Sequence, residues 1–404
     1  MERLIYKYYL YKASVTFGFF WPIFTLFLLD QGLTYTQITL LNSISAALIV
    51  IGEIPTGYVA DRIGRRNSMV VSSALYTGAI LGFVVARTFP EFVCLWLLWS
   101  FAHTFQSGSA DAWLYDLLDE RLDENAYTRV RGRGASVNMW VSAATMLVSG
   151  VVYSVHPTLP FVAGGLVTAI GLPILLSMPK NVRYTDSSDG YGTDDGQGYS
   201  IAEALPIVKG HLSSPPLRSV VLYLAVFFAI VTVIDNFIQP IVVNDIGFPE
   251  ASLGVIYAGF AAVAAVGSYY AETVEDVLTT GGAIVLIPPV VGVFLVVPLV
   301  IPLVALPAFF LMKTSKELLF PIMSGYINDH VGSMERATLL STVSMVIATF
   351  RVPLQPLGGY VGDLSGPITA VAALVVAFLA FTLSLHLWEP PTEEAAESDA
   401  STTD

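Results

Sequence analysis

Runs of about twenty residues with almost no charge recur along the chain, separated by short polar breaks. A helix of that length spans the roughly 30 Å hydrocarbon core of a bilayer, so each run predicts a membrane-crossing helix. About twelve are present, at 4–29, 36–60, 67–86, 91–115, 135–155, 159–178, 217–240, 251–270, 282–301, 303–327, 337–360 and 367–388. The first is too long for a secretory signal, carries Tyr-Lys pairs and is followed by no small-residue cleavage site, so it is expected to stay in the mature chain. The longest interruption, 180–216, is an acidic Gly- and Ser-containing linker, and 201–212 within it could form a short surface helix. It divides six spans from six. The expected fold is an all-α polytopic membrane protein, with twelve transmembrane helices in two pseudo-symmetric six-helix bundles, 1–179 and 217–388. An acidic tail at 389–404 is expected to be disordered.

A shift of about 215 residues tests for a repeat. It lays Asp30, Gly32 and Leu33 on Asp245, Gly247 and Phe248, and Val59, Asp61 and Ile63 on Val274, Asp276 and Leu278. A slightly smaller shift lays Ser149-Gly150 on Gly358-Gly359. Taken in order along the whole chain, these matches support two halves built on one plan.

Composition agrees with the pattern. Of 404 residues, 54% are apolar and 13% charged, which excludes disorder and is far from the roughly one-quarter charged of soluble domains. The net charge of −13 is the opposite of a nucleic-acid binder's footprint, so no nucleic-acid partner is expected. The single Cys94 and five scattered histidines offer neither a disulfide framework nor a metal site. Lys and Arg in short loops stay on the cytoplasmic side. With the N-terminus inside, all but four of the 19 basic residues, Lys12 and Arg131 among them, fall in cytoplasmic segments. Arg87 falls outside, and Lys313, Lys316 and Arg351 fall within spans. The expected location is the cell membrane, multi-pass, with both termini cytoplasmic and lipid as surroundings. The acidic excess lies mainly in linker, loops and tail, where it hydrates exposed surface as in halophilic proteins.

Between the second and third spans the chain reads Glu53-Ile54-Pro55-Thr56-Gly57-Tyr58-Val59-Ala60-Asp61-Arg62-Ile63-Gly64-Arg65-Arg66. Read physically, Gly57 lets helices approach closely and Gly64 permits a tight reversal. Asp61 can accept from exposed N–H groups of a helix start, and Arg62, Arg65 and Arg66 can hold the loop at anionic lipid. The bland reading is a tight turn with topology charges. Residues 57–66 also resemble the G-x-L-a-D-r-x-G-R-[KR] signature of the major facilitator superfamily, in the loop where that family carries it. Glu53 to Gly57 and Ser107-Gly108-Ser109-Ala110-Asp111-Ala112-Trp113-Leu114-Tyr115-Asp116 are similar to a broad group of prokaryotic permeases of that family. The resemblance implies a secondary transporter, gate residues at Gly57, Asp61, Arg62, Gly64, Arg65 and Arg66, and a degenerate gate copy at Asp276. It tilts the direction toward proton-coupled efflux. Two departures count against details. The stretch from Ala102 to Gly108 lacks the arginine many members carry in the fourth span, and the fifth reads Val148-Ser149-Gly150-Val151-Val152-Tyr153 rather than G-P-x-x-G-G.

An ionisable group at mid-bilayer costs roughly 2.5–3.5 kcal/mol on insertion scales, so each is a functional candidate. Glu53 lies in the second span; His103, Ser107 and Asp111 repeat at helical spacing in the fourth; Asn138, Ser142, Thr145 and Ser149 make a stripe on the fifth. Thr232, Asp235 and Gln239 share a face of the seventh, Lys313, Lys316 and Glu317 lie in the tenth, and Ser344, Arg351 and Gln355 in the eleventh. Both sets are expected to face an interior. Bland alternatives stand beside these: Lys313 with Glu317 as a neutralised i, i+4 pair, Asp235 solvated near the outer surface, Glu53 as part of the latch, His103 as a packing residue. Arg351, fourteen residues into its span and followed by Pro353 and Pro356, is expected to face an anionic group. No phosphate-binding Gly-Lys loop, triad or ligand cluster is legible, so neither ATP-driven pumping nor an enzyme is expected, and no cofactor or metal. The expected function is a monomeric secondary transporter moving a small molecule by alternating access, with H+ as coupling ion and Glu53, Asp111 or Asp235 as carrier. The alternative is a non-transporting sensor or lipid-handling protein on the same fold.

Overall fold

The computed structural model describes residues 2–107, 109–121, 126–180, 215–329 and 336–388. The expected surface helix at 201–212, the linker and the tail lie outside the described residues. Helices coincide with every expected span. They are α1 (Glu2–Ser14), α2 (Phe24–Asp30), α3 (Tyr35–Ile63), α4 (Arg65–Gly82), α5 (Phe89–Ser107), α6 (Ser109–Arg121), α7 (Tyr127–Val155) and α8 (Leu159–Leu176). After the linker follow α9 (Pro215–Pro240), α10 (Leu253–Tyr269), α11 (Ala271–Leu278), α12 (Thr280–Val296), α13 (Ala305–Asp329), α14 (Arg336–Ser365) and α15 (Pro367–Trp388). Seven stretches among the described residues are long and apolar enough to cross a membrane by composition. Other expected spans are divided or more polar. Large apolar side chains face outward, such as Trp140 at 75% exposure and Leu383 at 67%, where a soluble helix would carry charge.

The first expected span is not one helix. Helical geometry stops after Ser14 and resumes as a short 3-10 turn at Trp21–Ile23 before α2. Gly18 sits in the gap. A Cβ there would lie 2.1 Å from Thr145 Oγ1 and 2.4 Å from the Ser142 carbonyl oxygen, so only glycine lets this backbone lie against α7.

Contact density divides the chain into two compact units. Unit 1 comprises Met1–Leu33, Leu40–Thr193 and Phe248–Ala258; unit 2 comprises Thr34–Thr39, Asp194–Gly247 and Gly259–Asp404. In unit 1, Gly150 of α7 lies against the chain at 250–251, its Cβ position 2.4 Å from the Glu250 carbonyl oxygen. In unit 2, Gly359 of α14 lies against the chain at 35–39, its Cβ position 2.6 Å from the Tyr35 carbonyl oxygen. Glycines paired by the shorter sequence shift thus meet residues paired by the longer one. The turns agree as well, since Gly32 and Gly247 both have φ 87°. Gly64 at φ 85° has its counterpart in Thr279 at φ 63°, which keeps the left-handed turn without the glycine.

Two carboxylates tie these corners down. Asp30 accepts a short hydrogen bond from the Tyr153 hydroxyl in unit 1. In unit 2, Asp363 accepts from the backbone N–H groups of Tyr35 and Thr36 at 2.7 and 3.0 Å and from the Thr36 hydroxyl at 2.6 Å. The second contact satisfies donors that a helix N-terminus otherwise leaves open.

Candidate functional site

Unit 1 encloses a cavity of about 560 Å³ between α1, α6 and α7, within the range of small-molecule pockets. Its polar groups include Tyr8 and Lys12 of α1, Gln106 of α5, Asp111 of α6, and Arg131 and Asn138 of α7. Arg131 Nη2 donates to Asp111 Oδ2 at 2.8 Å, and Asp111 also acts through space on the Lys12 ammonium. The floor is fixed by buried packing, with Tyr8 stacked on Trp113 and both inside a core that includes Tyr11, Met69 and Leu114.

The polar stripe of α7 has work besides facing the cavity. Asn138 Nδ2 donates to the carbonyl oxygens of Lys12, at 3.0 Å, and Val15, while Thr16 Oγ1 bonds to Ser142 Oγ at 3.1 Å and Thr145 Oγ1 at 3.2 Å. The Lys12 carbonyl is freed from helical bonding by the break after Ser14, and Val15 and Thr16 lie in the break itself. Non-helical backbone is tolerated at membrane depth where protein satisfies it or a cavity receives it, and both hold here. Ser149 is fully buried and its hydroxyl has no partner among the described residues.

A second cavity in unit 1, about 380 Å³, is lined by Glu53, Gly57, Arg65, Thr104, Ser107 and Ser109, among others. Glu53 is exposed, and its carboxylate acts electrostatically on His103, which lines neither cavity. The motif arginines contact protein groups. Arg65 Nη1 meets Asp116 Oδ2 at 3.0 Å, and Arg66 Nη1 donates to the carbonyl oxygens of Leu176 and Met178 at 3.0 and 3.3 Å, closing the end of α8. Arg62 lies 4.3 Å over the Tyr58 ring. Gly64 makes the expected tight turn. Gly57 does not mediate a close approach, because a Cβ there would meet nothing within 4 Å. The Asp61 side chain lies outside the described residues.

In unit 2, Lys313 Nζ lies 2.8 Å from Asp235 Oδ1, an approach outside hydrogen-bonding angles. Lys313 therefore pairs across helices with Asp235, not along its own helix with Glu317, which instead lies 4.0 Å from Lys316. Buried Gln239 lies one turn above Asp235, and Asp276 is exposed on α11. Arg351 Nε and Gln355 Oε1 are buried atoms without hydrogen-bond partners among the described residues. The contacts of Gly358 with Val233 and of Gly362 with Phe237 set the register of α14 on α9. That register puts Arg351 level with Val226, roughly 13 Å along the axis from Asp235, so Arg351 and the Lys313 pair are separate features.

Lys12, Arg131 and Asp116 were not expected at the site. Both cations line the cavity wall. The signal for Lys12 was its place four residues before Thr16-Phe17-Gly18 in an otherwise apolar run.

The sequence model described as Major Facilitator Superfamily matches residues 13–351. An uncharacterized MFS-type transporter, YxaM of Bacillus subtilis (strain 168), is 24% identical over 94% of this chain and 94% of its own. Among solved structures, the nucleoside transporter NupG superposes with TM-score 0.73 at 12% identity, over 96% of this chain and 97% of that one. A D-xylose-proton symporter gives TM-score 0.64 at 14% identity, over 97% and 99%. Helix order, the motif loop in its place and a family match over most of the chain agree, and the chain belongs to the Major Facilitator Superfamily.

Proposed function

We propose that this secondary transporter moves a small organic solute by proton-coupled alternating access, with Asp111 and Asp235 as the proton-carrying groups. The observation that carries the reading is the same device in each unit, a carboxylate in contact with a cation from another helix: Asp111 with Arg131 and Asp235 with Lys313. A proton on either aspartate removes the charge that holds its cation, so proton binding and solute binding share one set of groups. A proton moving down the membrane potential supplies about 2.3 kcal/mol per 100 mV. The similarity to a proton symporter supports coupling of this kind.

The proposal takes 1–179 and 217–388 as the two moving bodies and residues 57–66 with Asp276 as the gate. It places a monomer in the cell membrane with both termini cytoplasmic, on the distribution of Lys and Arg. Glu53 and His103, beside the motif loop, belong to the same pathway, as do Gln239, Glu317 and Gln355. Efflux is the proposed direction, and it rests on the family resemblance.

Proteoliposomes with an imposed pH gradient test the coupling. Uphill flux of a solute found by comparing cells with and without the protein is expected to collapse on removing the gradient. Asp111→Asn or Asp235→Asn should abolish uphill flux and keep exchange of solute. Absence of any flux by correctly folded protein, or flux indifferent to the gradient, sinks the proposal.

A further inference from the structure

We infer that the unit 1 cavity seats an organic monocarboxylate with an aromatic or otherwise apolar body, its carboxylate held by Lys12. The inference rests on the transporter reading and adds the substrate class. Charge comes first. Two cations, Lys12 and Arg131, and one carboxylate, Asp111, line the cavity, so the lining carries one positive charge in excess. Asp111 is in contact with Arg131, while Lys12 has no hydrogen bond or ion-pair contact from its ammonium among the described residues. A half-buried ammonium beside apolar walls is costly unless an anion meets it, and the cavity is where an anion can arrive.

Three neutral polar groups of the wall are already engaged. Gln106 donates to the Tyr11 hydroxyl at 3.0 Å, Asn138 donates to two carbonyls, and Ser142 bonds to Thr16. Of the two cations, Lys12 is the one without an ion-pair contact among the described residues, and it lies in the last turn of α1 where the chain leaves helical geometry. The apolar part of the lining includes Val15 and Phe17 in the break, Trp21 just after it and Met146 of α7. One anionic group on Lys12 and an apolar body along these residues uses both kinds of lining. A solute that also carried an ammonium would have to compete with Arg131 for Asp111, which disfavours zwitterions.

Binding to the purified full-length protein in detergent tests this without transport, by isothermal titration and by ligand-dependent melting. The probes are 3-phenylpropionate, its neutral amide 3-phenylpropanamide, phenethylamine and phenylalanine. Saturable binding of 3-phenylpropionate is expected, at least about tenfold tighter than any of the other three. Lys12→Gln should weaken it at least tenfold, Lys12→Arg should retain it, and Arg87→Gln, exposed and outside both cavities, should leave it unchanged. Equal binding of the amide, tighter binding of phenylalanine or phenethylamine, unchanged binding by Lys12→Gln, or no binding of the carboxylate overturns the inference. If Lys12→Gln does not fold, the four probes on the wild-type protein decide. Carboxylate binding without flux removes the transport reading and leaves this site; flux of other solutes without carboxylate binding does the reverse.

Discussion

In unit 1 the chain leaves helical geometry after Ser14 and recovers it at Trp21, whereas its counterpart α9 in unit 2 runs from Pro215 to Pro240 without interruption. The shift that pairs Gly32 with Gly247 pairs Gly18 with Val233 and Lys12 with Phe227. The broken helix leaves backbone carbonyls to be satisfied, and α7 supplies Asn138 for those of Lys12 and Val15, while Ser142 and Thr145 hold the Thr16 hydroxyl within the break. Under the shift that pairs Ser149 with Gly358, these three become Ile347, Arg351 and Leu354 of α14. The amide that bonds the broken backbone has an apolar counterpart, Ile347, where the helix is whole. The two halves began from one plan, and the difference shows what a cavity at this depth requires: a glycine to open the backbone and a neighbouring helix to receive it.

The strongest way to break that comparison is Gly18→Ala. The new methyl would press on the Ser142 carbonyl and the Thr145 hydroxyl, neither of which is the end of a flexible side chain. Overpacking of this kind costs about 3 kcal/mol at its upper range, so a melting temperature lower by several degrees or loss of folded protein is expected. A wild-type melting curve would mean that the break does not depend on the close approach. Asn138→Leu should cost somewhat less, about 2 kcal/mol, because it strips donors from the Lys12 and Val15 carbonyls that cavity water replaces only in part. The matched change Ile347→Leu in unit 2 should cost under about 1 kcal/mol. Equal losses in the two variants would show that Asn138 acts by packing and not by bonding the break.

Spans and repeat were legible because each depends on an average over many residues. Twenty apolar residues predict a helix whatever its neighbours, and a shift of 215 shows in turns such as Gly32 and Gly247. What depends on one contact between distant elements was hidden. Gly18 reads as one more glycine in an apolar run until α7 is seen against it. Lys313 has Glu317 one turn away in sequence, yet its partner Asp235 comes from α9, a choice that spacing cannot reveal. Lys12 and Arg131 followed the basic-residue rule, which sorts charges by side of the membrane and says nothing of a cavity. Asp111 and Asn138 were found because each is a polar residue at helical spacing in an apolar run. The second task of Asn138, bonding the break, was not.

The smallest expected effect separates the two halves at their turns. Gly64 (φ 85°, ψ 146°) and Thr279 (φ 63°, ψ 160°) hold nearly the same backbone conformation, which is close to glycine-only. A Cβ at Gly64 meets nothing within 4 Å, so the penalty of Gly64→Ala is conformational and amounts to about 1–3 kcal/mol. Thr279→Gly should run the other way. It releases the same strain, offset by about 0.5–1 kcal/mol of added chain entropy and a few tenths for losing the hydroxyl that accepts from the Gly282 N–H at 3.2 Å. The net is a gain of about 1 kcal/mol, read as a melting temperature raised by a few degrees. Opposite signs for the two substitutions would establish that unit 2 keeps the turn against the preference of its own residue. A lower melting temperature for Thr279→Gly would instead assign the conformation to the threonine's cap, and the two turns would then share a shape without sharing a cause.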